Sequence, residues 1–360
     1  MIVGVQYYNQ IMLSKPFVRY DNLAFYETHF GWLVLGSSDP NPTTPINFSS
    51  VNSTIFSCCF KSDPVSINDV NDQLQKFWQL EEPLATDSTE NKEYQLALET
   101  FNNSVTRDAT GQFHVRYPLK EDKKEICNNR ERALRAFLKI EKAYDAETWT
   151  EYVKFMQEYQ ELHHMSVVPA KEVNQPSYYI PHRAILRLNA YTTKLRVVFN
   201  GSSLDGKGLS MNSACLKCPK TQPELFDILL NFRMYRYAFC TDIEKMYRQV
   251  RIHREDQDLQ RILWRPSPDE PICDFRLEMV IYGLVPSGFL ATSCLNLLKN
   301  ATNDPAASRL IKKSFYMDDL LAGADTEDEV ILIQAELHEV LKSAKFPLRK
   351  YTTNSSALAV

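Results

Sequence analysis

No run of apolar residues in this chain approaches the roughly 18 needed to cross a bilayer as a helix, so no membrane span is read. The N-terminus has no basic stretch followed by a long apolar core, so no secretory signal is read there either. Cysteine is present without order: eight residues at irregular spacing do not make a disulfide scaffold. Cys215 and Cys218 form one isolated C-x-x-C with no second pair or nearby histidine to complete a zinc site. Free thiols in a reducing compartment are the simpler reading. The sequons at Asn47, Asn52 and Asn102 then carry no weight. Net charge is also slight, at -4, which argues against indiscriminate nucleic-acid binding. No internal repeat is evident.

What is present is the composition of a globular protein: 360 residues, 44% hydrophobic and 24% charged, enough for one large or two to three ordinary domains. Local charge is less even than the total. Between residues 181 and 217 stand Arg183, Arg187, Lys194, Arg196, Lys207 and Lys217 against one acid, Asp205, as expected of a phosphate-facing surface.

Patterning predicts strands at 2–5, within 20–30 and at 31–36, then a Ser-, Pro-, Asn- and Thr-rich linker over 37–66. Short helical pieces follow around Leu74, Phe77, Trp78 and Leu80, and a strand over 113–117. Two amphipathic helices come next, one on Ala133, Leu134, Phe137, Leu138 and Ile140, the other on Tyr152, Phe155, Met156, Tyr159 and Leu162. The second stripe is read as core, not as a stacking platform for bases. Strands are expected at 195–199, 237–241, 262–264 and 275–279, and a helix from Pro223 to about Met234. The clearest helix starts at Thr326, with Glu329 completing a capping box, and buries Val330, Ile333, Leu337, Val340, Leu341 and Ala344.

Before that helix lies Tyr316-Met317-Asp318-Asp319, two adjacent carboxylates between apolar runs, expected at the tip of a hairpin. Such a pair is costly unless a cation neutralises it, and a divalent metal is the simplest one. Asp242 ends the 237–241 strand about 75 residues earlier. If the two elements share a sheet, these carboxylates can converge on two metals of the kind that drive phosphoryl transfer.

Four segments in order resemble a reverse transcriptase of the Bel/Pao class of LTR retrotransposons. They are Lys194-Leu195-Arg196-Val197-Val198-Phe199-Asn200, Thr241-Asp242-Ile243-Glu244-Lys245-Met246-Tyr247, Ile281-Tyr282-Gly283-Leu284-Val285-Pro286-Ser287-Gly288-Phe289 with the Tyr-Met-Asp-Asp hairpin, and Phe346-Pro347-Leu348-Arg349-Lys350 onward. The resemblance implies an α+β fold of palm and fingers and an RNA-directed DNA polymerase that uses two Mg2+ ions (or Mn2+), dNTPs and a primed RNA or DNA template. It implies Asp242, Asp318 and Asp319 as catalytic and metal-binding residues, with Asp242 and Asp318 the direct ligands and Asp319 third. Nucleotide contacts fall to Lys194 and Arg196, to Ile243, Glu244, Lys245, Met246 and Tyr247, and to Tyr282 and Gly283. Tyr247 would crowd a ribose 2′-hydroxyl. Asn200 stands where many relatives carry aspartate, and Gly288 where proline is common.

Residues 2–8 and 31–36 resemble the closing strands of the element's retropepsin-like protease, but no Asp-Thr-Gly or Asp-Ser-Gly occurs, so no protease catalytic residue is assigned. Expected domains are therefore a protease remnant at 1–36, a linker with helices at 37–100, a connection and fingers region at 101–236, and a palm at 237–360. The thumb, ribonuclease H and integrase modules would be missing partners, and weak or absent activity is expected of these 360 residues alone. The alternative expectation is an inactive nucleic-acid-binding or structural remnant. By the same resemblance the protein would reside in cytoplasmic virus-like particles.

Overall fold

Alternation along two strands sets the architecture. In β9 (Tyr237–Ile243), Phe239, Thr241 and Ile243 are buried while Ala238, Cys240 and Asp242 are less covered. In β14 (Asp319–Ala324), Leu320, Ala322 and Ala324 are buried and Asp319 is exposed. Period-two patterning of this kind gives a sheet one core face and one open face. β13 (Phe315–Tyr316) and β15 (Leu348–Thr353) complete an antiparallel sheet in the order β13-β14-β9-β15.

This is a computed structural model, and it describes residues 13, 18–20, 23–28, 31–36, 88–121, 127–186 and 195–357. The chain divides into two units, Met1–Leu84 and Ala85–Val360. In the first, β1 (Val18–Tyr20), β2 (Leu23–Thr28) and β3 (Gly31–Gly36) form an antiparallel meander. The strand expected at 2–5, the linker at 37–66, the helical pieces near Leu74 to Leu80, Arg187 and Lys194 all lie outside the described residues.

The second unit is α+β, with several small antiparallel sheets packed against helices. One hydrophobic cluster runs from Ala97 to Leu348 and includes buried residues of every sheet in the unit, so no break in the core falls near residue 236. Helix Ser88–Ser104 likewise runs across the 100/101 boundary drawn from sequence. Helices Arg130–Ala143 and Ala146–Glu161 form where periodicity placed them, the second opened by Asp145 accepting from the Thr148 N–H at 2.8 Å. Its stripe is core: Tyr152, Met156 and Tyr159 are buried, although Leu162 is exposed past its end.

Helix Glu327–Ser343 covers the core face of the central sheet with Val330, Ile333, Leu337, Val340 and Leu341, and Ala344 is buried just beyond it. Thr326 accepts from the Glu329 N–H at 3.3 Å. The reciprocal half of the expected capping box is not formed among the described residues. Glu329 is exposed instead, and with Glu327 and Asp328 it opposes the positive end of the helix.

Strands β11 (Arg261–Trp264), β12 (Cys273–Leu277) and β6 (Met165–Val167) form a second antiparallel sheet, β7 (His182–Leu186) pairs with β8 (Leu195–Phe199), and β10 (Arg251–Ile252), β5 (Phe113–Val115) and β4 (Thr106–Arg107) make a small mixed sheet. The first of these carries a dense ionic network. Arg261, with no exposed surface, donates to Asp258 Oδ1 at 2.7 Å and to the carbonyls of Val173 and Glu172 at 2.9 and 2.8 Å. Arg276 reaches the same aspartate and Glu172, while Arg130 grips both oxygens of Asp274. Pairing and backbone bonds together make burial of so much charge tolerable.

Candidate functional site

The ladder places Asp242 directly opposite Asp319, with Arg349 of β15 on the other side of Asp242. Directly opposed residues on antiparallel strands share a face, with Cβ atoms about 4.5–5.5 Å apart. Tyr316, Asp319, Asp242 and Arg349 therefore make one row across the open face of the sheet. Asp318 sits in the turn with Met317, and its carbonyl accepts the Ile243 N–H at 2.8 Å. All three aspartates thus come to one end of one sheet. The cross-strand neighbour of Asp242 is Asp319, because the two-residue turn takes Asp318 out of the ladder.

Electrostatics at this end is unfavourable as it stands. The Asp319 carboxyl is pushed up by partial loss of hydration, then by the neighbouring Asp318 and Asp242 charges, with Lys350 working against them. Asp242 Oδ1 is buried and has no hydrogen-bond partner. Its Oδ2 accepts from Lys350 Nζ at 2.9 Å, and that contact raises the lysine's affinity for its proton. Lys350 reaches Asp242 through a bulge: the β15 register shifts between Arg349 and Thr352, and Lys350 has a left-handed backbone with φ 54°.

Backbone strain gathers at the same place. Among the described residues, five non-glycine residues have positive φ. His163 and Lys345 follow helix ends, where left-handed caps are ordinary. The other three, Lys245, Met317 and Lys350, border the aspartates. Non-glycine residues pay about 1–3 kcal/mol for such conformations, and these cluster where surrounding structure holds them in place for a task.

Three carboxylates, one of them with an orphaned buried oxygen, are a donor set suited to a hard divalent cation. Among the described residues, though, no group of three His, Cys, Asp or Glu side chains stands ready as an ion cage. Lys350 now provides the positive charge at Asp242.

Next to the aspartates, Tyr247 lies in a 3-10 turn, Met246–Gln249. Its ring meets Tyr282 edge-on at 6.4 Å between centroids, and burial and Asp318 push its phenol up. A Cβ built on Gly288 would stand 3.7 Å from Met317 Cε and 3.8 Å from the Tyr247 hydroxyl, so the three residues bound one gap. The N–H groups of Ile243 and Glu244 are already engaged, by the carbonyls of Asp318 and Pro347. Lys245 pairs with Glu158 at 2.9 Å, and the buried Arg248 binds the same carboxylate at 2.7 Å, clamping the turn to helix Ala146–Glu161.

Gly283 has φ 98°, and a Cβ there would meet the Phe199 carbonyl oxygen at 2.2 Å. The resemblance places this glycine among the nucleotide contacts. In the structure the close approach is to the end of β8. Arg196 is exposed on β8, and its charge reaches the Tyr282 phenol. Asp205, the one acid of the basic interval, is buried and spent on the N–H groups of Cys127, Lys207 and Leu209.

Three residues at this site escaped sequence reasoning. Gln222 Oε1 accepts the Met317 N–H at 2.8 Å and holds the hairpin turn. Glu158 anchors the Tyr247 turn, and Lys350 holds Asp242. Lys350 belonged to a segment singled out for its resemblance, yet nothing in the sequence marks a bulge. Gln222 and Glu158 are distant polar residues with no local signal. No protein-family model matches this chain, and no curated protein matches it.

Proposed function

We propose that this chain is the polymerase region of a reverse transcriptase of the Bel/Pao retrotransposon type, adding deoxynucleotides to a primer 3′-hydroxyl on an RNA or DNA template. The observation that carries the reading is the meeting of Asp242, Asp318 and Asp319 at one end of an antiparallel sheet, with Asp242 Oδ1 buried and unpartnered. The resemblance of the four segments supplies the reaction class. It also suggests that the β1-β2-β3 meander derives from the element's protease.

Asp242 and Asp318 would hold two Mg2+ or Mn2+ ions through carboxylate oxygens, Asp319 adding negative charge beside them. When bound, such ions supply the charge that activates the primer hydroxyl and offsets charge on departing pyrophosphate. The chain's own residues orient the reactants. Tyr247, fixed through its turn by Arg248, Lys245 and Glu158, limits the room at the sugar. Tyr282 and Gly283 form the wall beside it, and Arg196 with Lys194 offers cationic contacts to the triphosphate.

Primer extension on an RNA template, wild type against Asp318→Asn, tests the reading. Weak incorporation by the wild type and none detectable for the variant is expected, and equal incorporation by both would overturn the site. A second reading, a nucleic-acid-binding protein without catalysis, is favoured by the Lys350 contact that occupies Asp242. RNA binding without incorporation by the wild type selects it.

A further inference from the structure

A cleft of about 580 Å³ opens between helix Leu225–Phe232, the end of helix Ser287–Leu297 with the turn Leu298–Asn300, and the last turn of helix Pro305–Lys313. Lys299, Lys312 and Lys313 line it, against a single acid, Asp227. Among the described residues none of the three lysines is in an ion pair. Lysines at the end of a helix offset its negative pole, which accounts for Lys312 and Lys313 being where they are. It does not account for Lys299 joining them from another element. The cleft also begins beside the acidic hairpin. Thr221 and Pro223 of its wall flank Gln222, the residue that holds Met317. Asn296 fixes that wall by donating to the Thr221 carbonyl at 2.7 Å.

We infer that this cleft holds the phosphodiester backbone of one nucleic-acid strand as it passes the Asp318 turn. Three unpaired cations with one acid give a net positive groove. Lysine serves such a groove as a hydrated point charge, suited to successive phosphates and not to gripping one bidentate anion. Pro223 and Leu230 add an apolar strip that a sugar-phosphate chain covers and a small inorganic anion leaves bare. The identity of the strand as template or primer rests on the polymerase reading; the polyanion site does not.

The test is anisotropy of labelled RNA and DNA single strands of about 20 nucleotides on the full chain, without divalent cations, between about 50 and 300 mM salt. The triple variant Lys299→Gln, Lys312→Gln, Lys313→Gln is compared with a control triple at exposed lysines elsewhere, Lys139, Lys142 and Lys171. Loss of three phosphate contacts should make the log–log salt slope shallower by about 2 and weaken binding about 10- to 100-fold near 100 mM salt, for RNA and DNA alike. The control should keep the wild-type slope, and matching urea midpoints for both triples establish that folding is intact.

An unchanged slope in the cleft triple, or an equal loss in the control, overturns the inference. So does displacement of the strand by inorganic pyrophosphate as readily as by unlabelled RNA at equal phosphate, which would make this a small-anion site. Primer extension run alongside separates the two readings. A cleft triple that binds normally, with incorporation still dependent on Asp318, removes the cleft and keeps the polymerase. Cleft-dependent binding with no incorporation by the wild type does the reverse.

Discussion

Two clusters of charge in this unit are built on opposite principles. Around the β11-β12-β6 sheet, Asp258, Glu172 and Asp274 are gripped by Arg254, Arg261, Arg276 and Arg130, and buried Arg261 donates to carbonyls as well. At the end of β9 and β14, like charges face each other, one buried oxygen has no partner, and one exposed lysine supplies the counter-charge. Closed networks of the first kind hold a fold together. An open set of the second kind leaves free energy to be recovered when a cation arrives, which is why unsatisfied charge is the better marker of a site.

Substitutions can break this contrast in four ways. On the polymerase reading the largest effect expected is on incorporation: Asp318→Asn should lower it on the order of 10³-fold without lowering the urea midpoint, since Asp318 holds the turn through its backbone carbonyl. Arg261→Met should do the converse, costing about 3–5 kcal/mol in a urea titration by leaving Asp258 under-compensated.

A smaller effect separates the clusters by pH. Burial alone would raise Asp258 and Asp274, but their arginine bonds more than offset it and hold both carboxyls low, so their stabilisation is present near neutrality and fades as pH falls through their lowered values. Asp319 is raised, so the folded state takes up its proton first and stability declines as pH climbs through that raised value. Asp319 is exposed and solvent screens the repulsion, so Asp319→Asn should stabilise by only a few tenths to about 1 kcal/mol at pH 7, with the gain gone below the ordinary carboxylate range. Thermal melts at both pH values check it; a gain that persists in acid counts against the like-charge explanation. Smallest of all, Lys350→Met should change the unfolding free energy from a urea titration by no more than about 1 kcal/mol, because the lysine is largely exposed.

Much of this was legible in the sequence where periodicity is strong. The stripe from Val330 to Leu341 and the alternation through Phe239 and Thr241 fix a helix and a strand against one core, and the adjacent carboxylates mark the hairpin. What stayed hidden depends on register and reach. Whether Asp318 or Asp319 faces Asp242 turns on a two-residue loop, and a left-handed Met317 carries no sequence signature. Gly283 leaves no room for a side chain because of Phe199, which lies 84 positions away in the chain, so the cause is invisible in the local sequence. The cleft lysines come from two elements, and only folding makes them neighbours.

The bulge at Lys350 gives the gene an unusual point of vulnerability. A regular ladder through β15 would let side chains alternate without interruption, and removing one residue flips everything beyond it to the other face. Loss of a single codon between Arg349 and Thr352 would restore that regularity and detach the lysine from Asp242. The reading frame would survive such a deletion, and so would most of the strand's hydrogen bonding. The counter-charge would not, making a length change here more telling than most replacements of one amino acid by another.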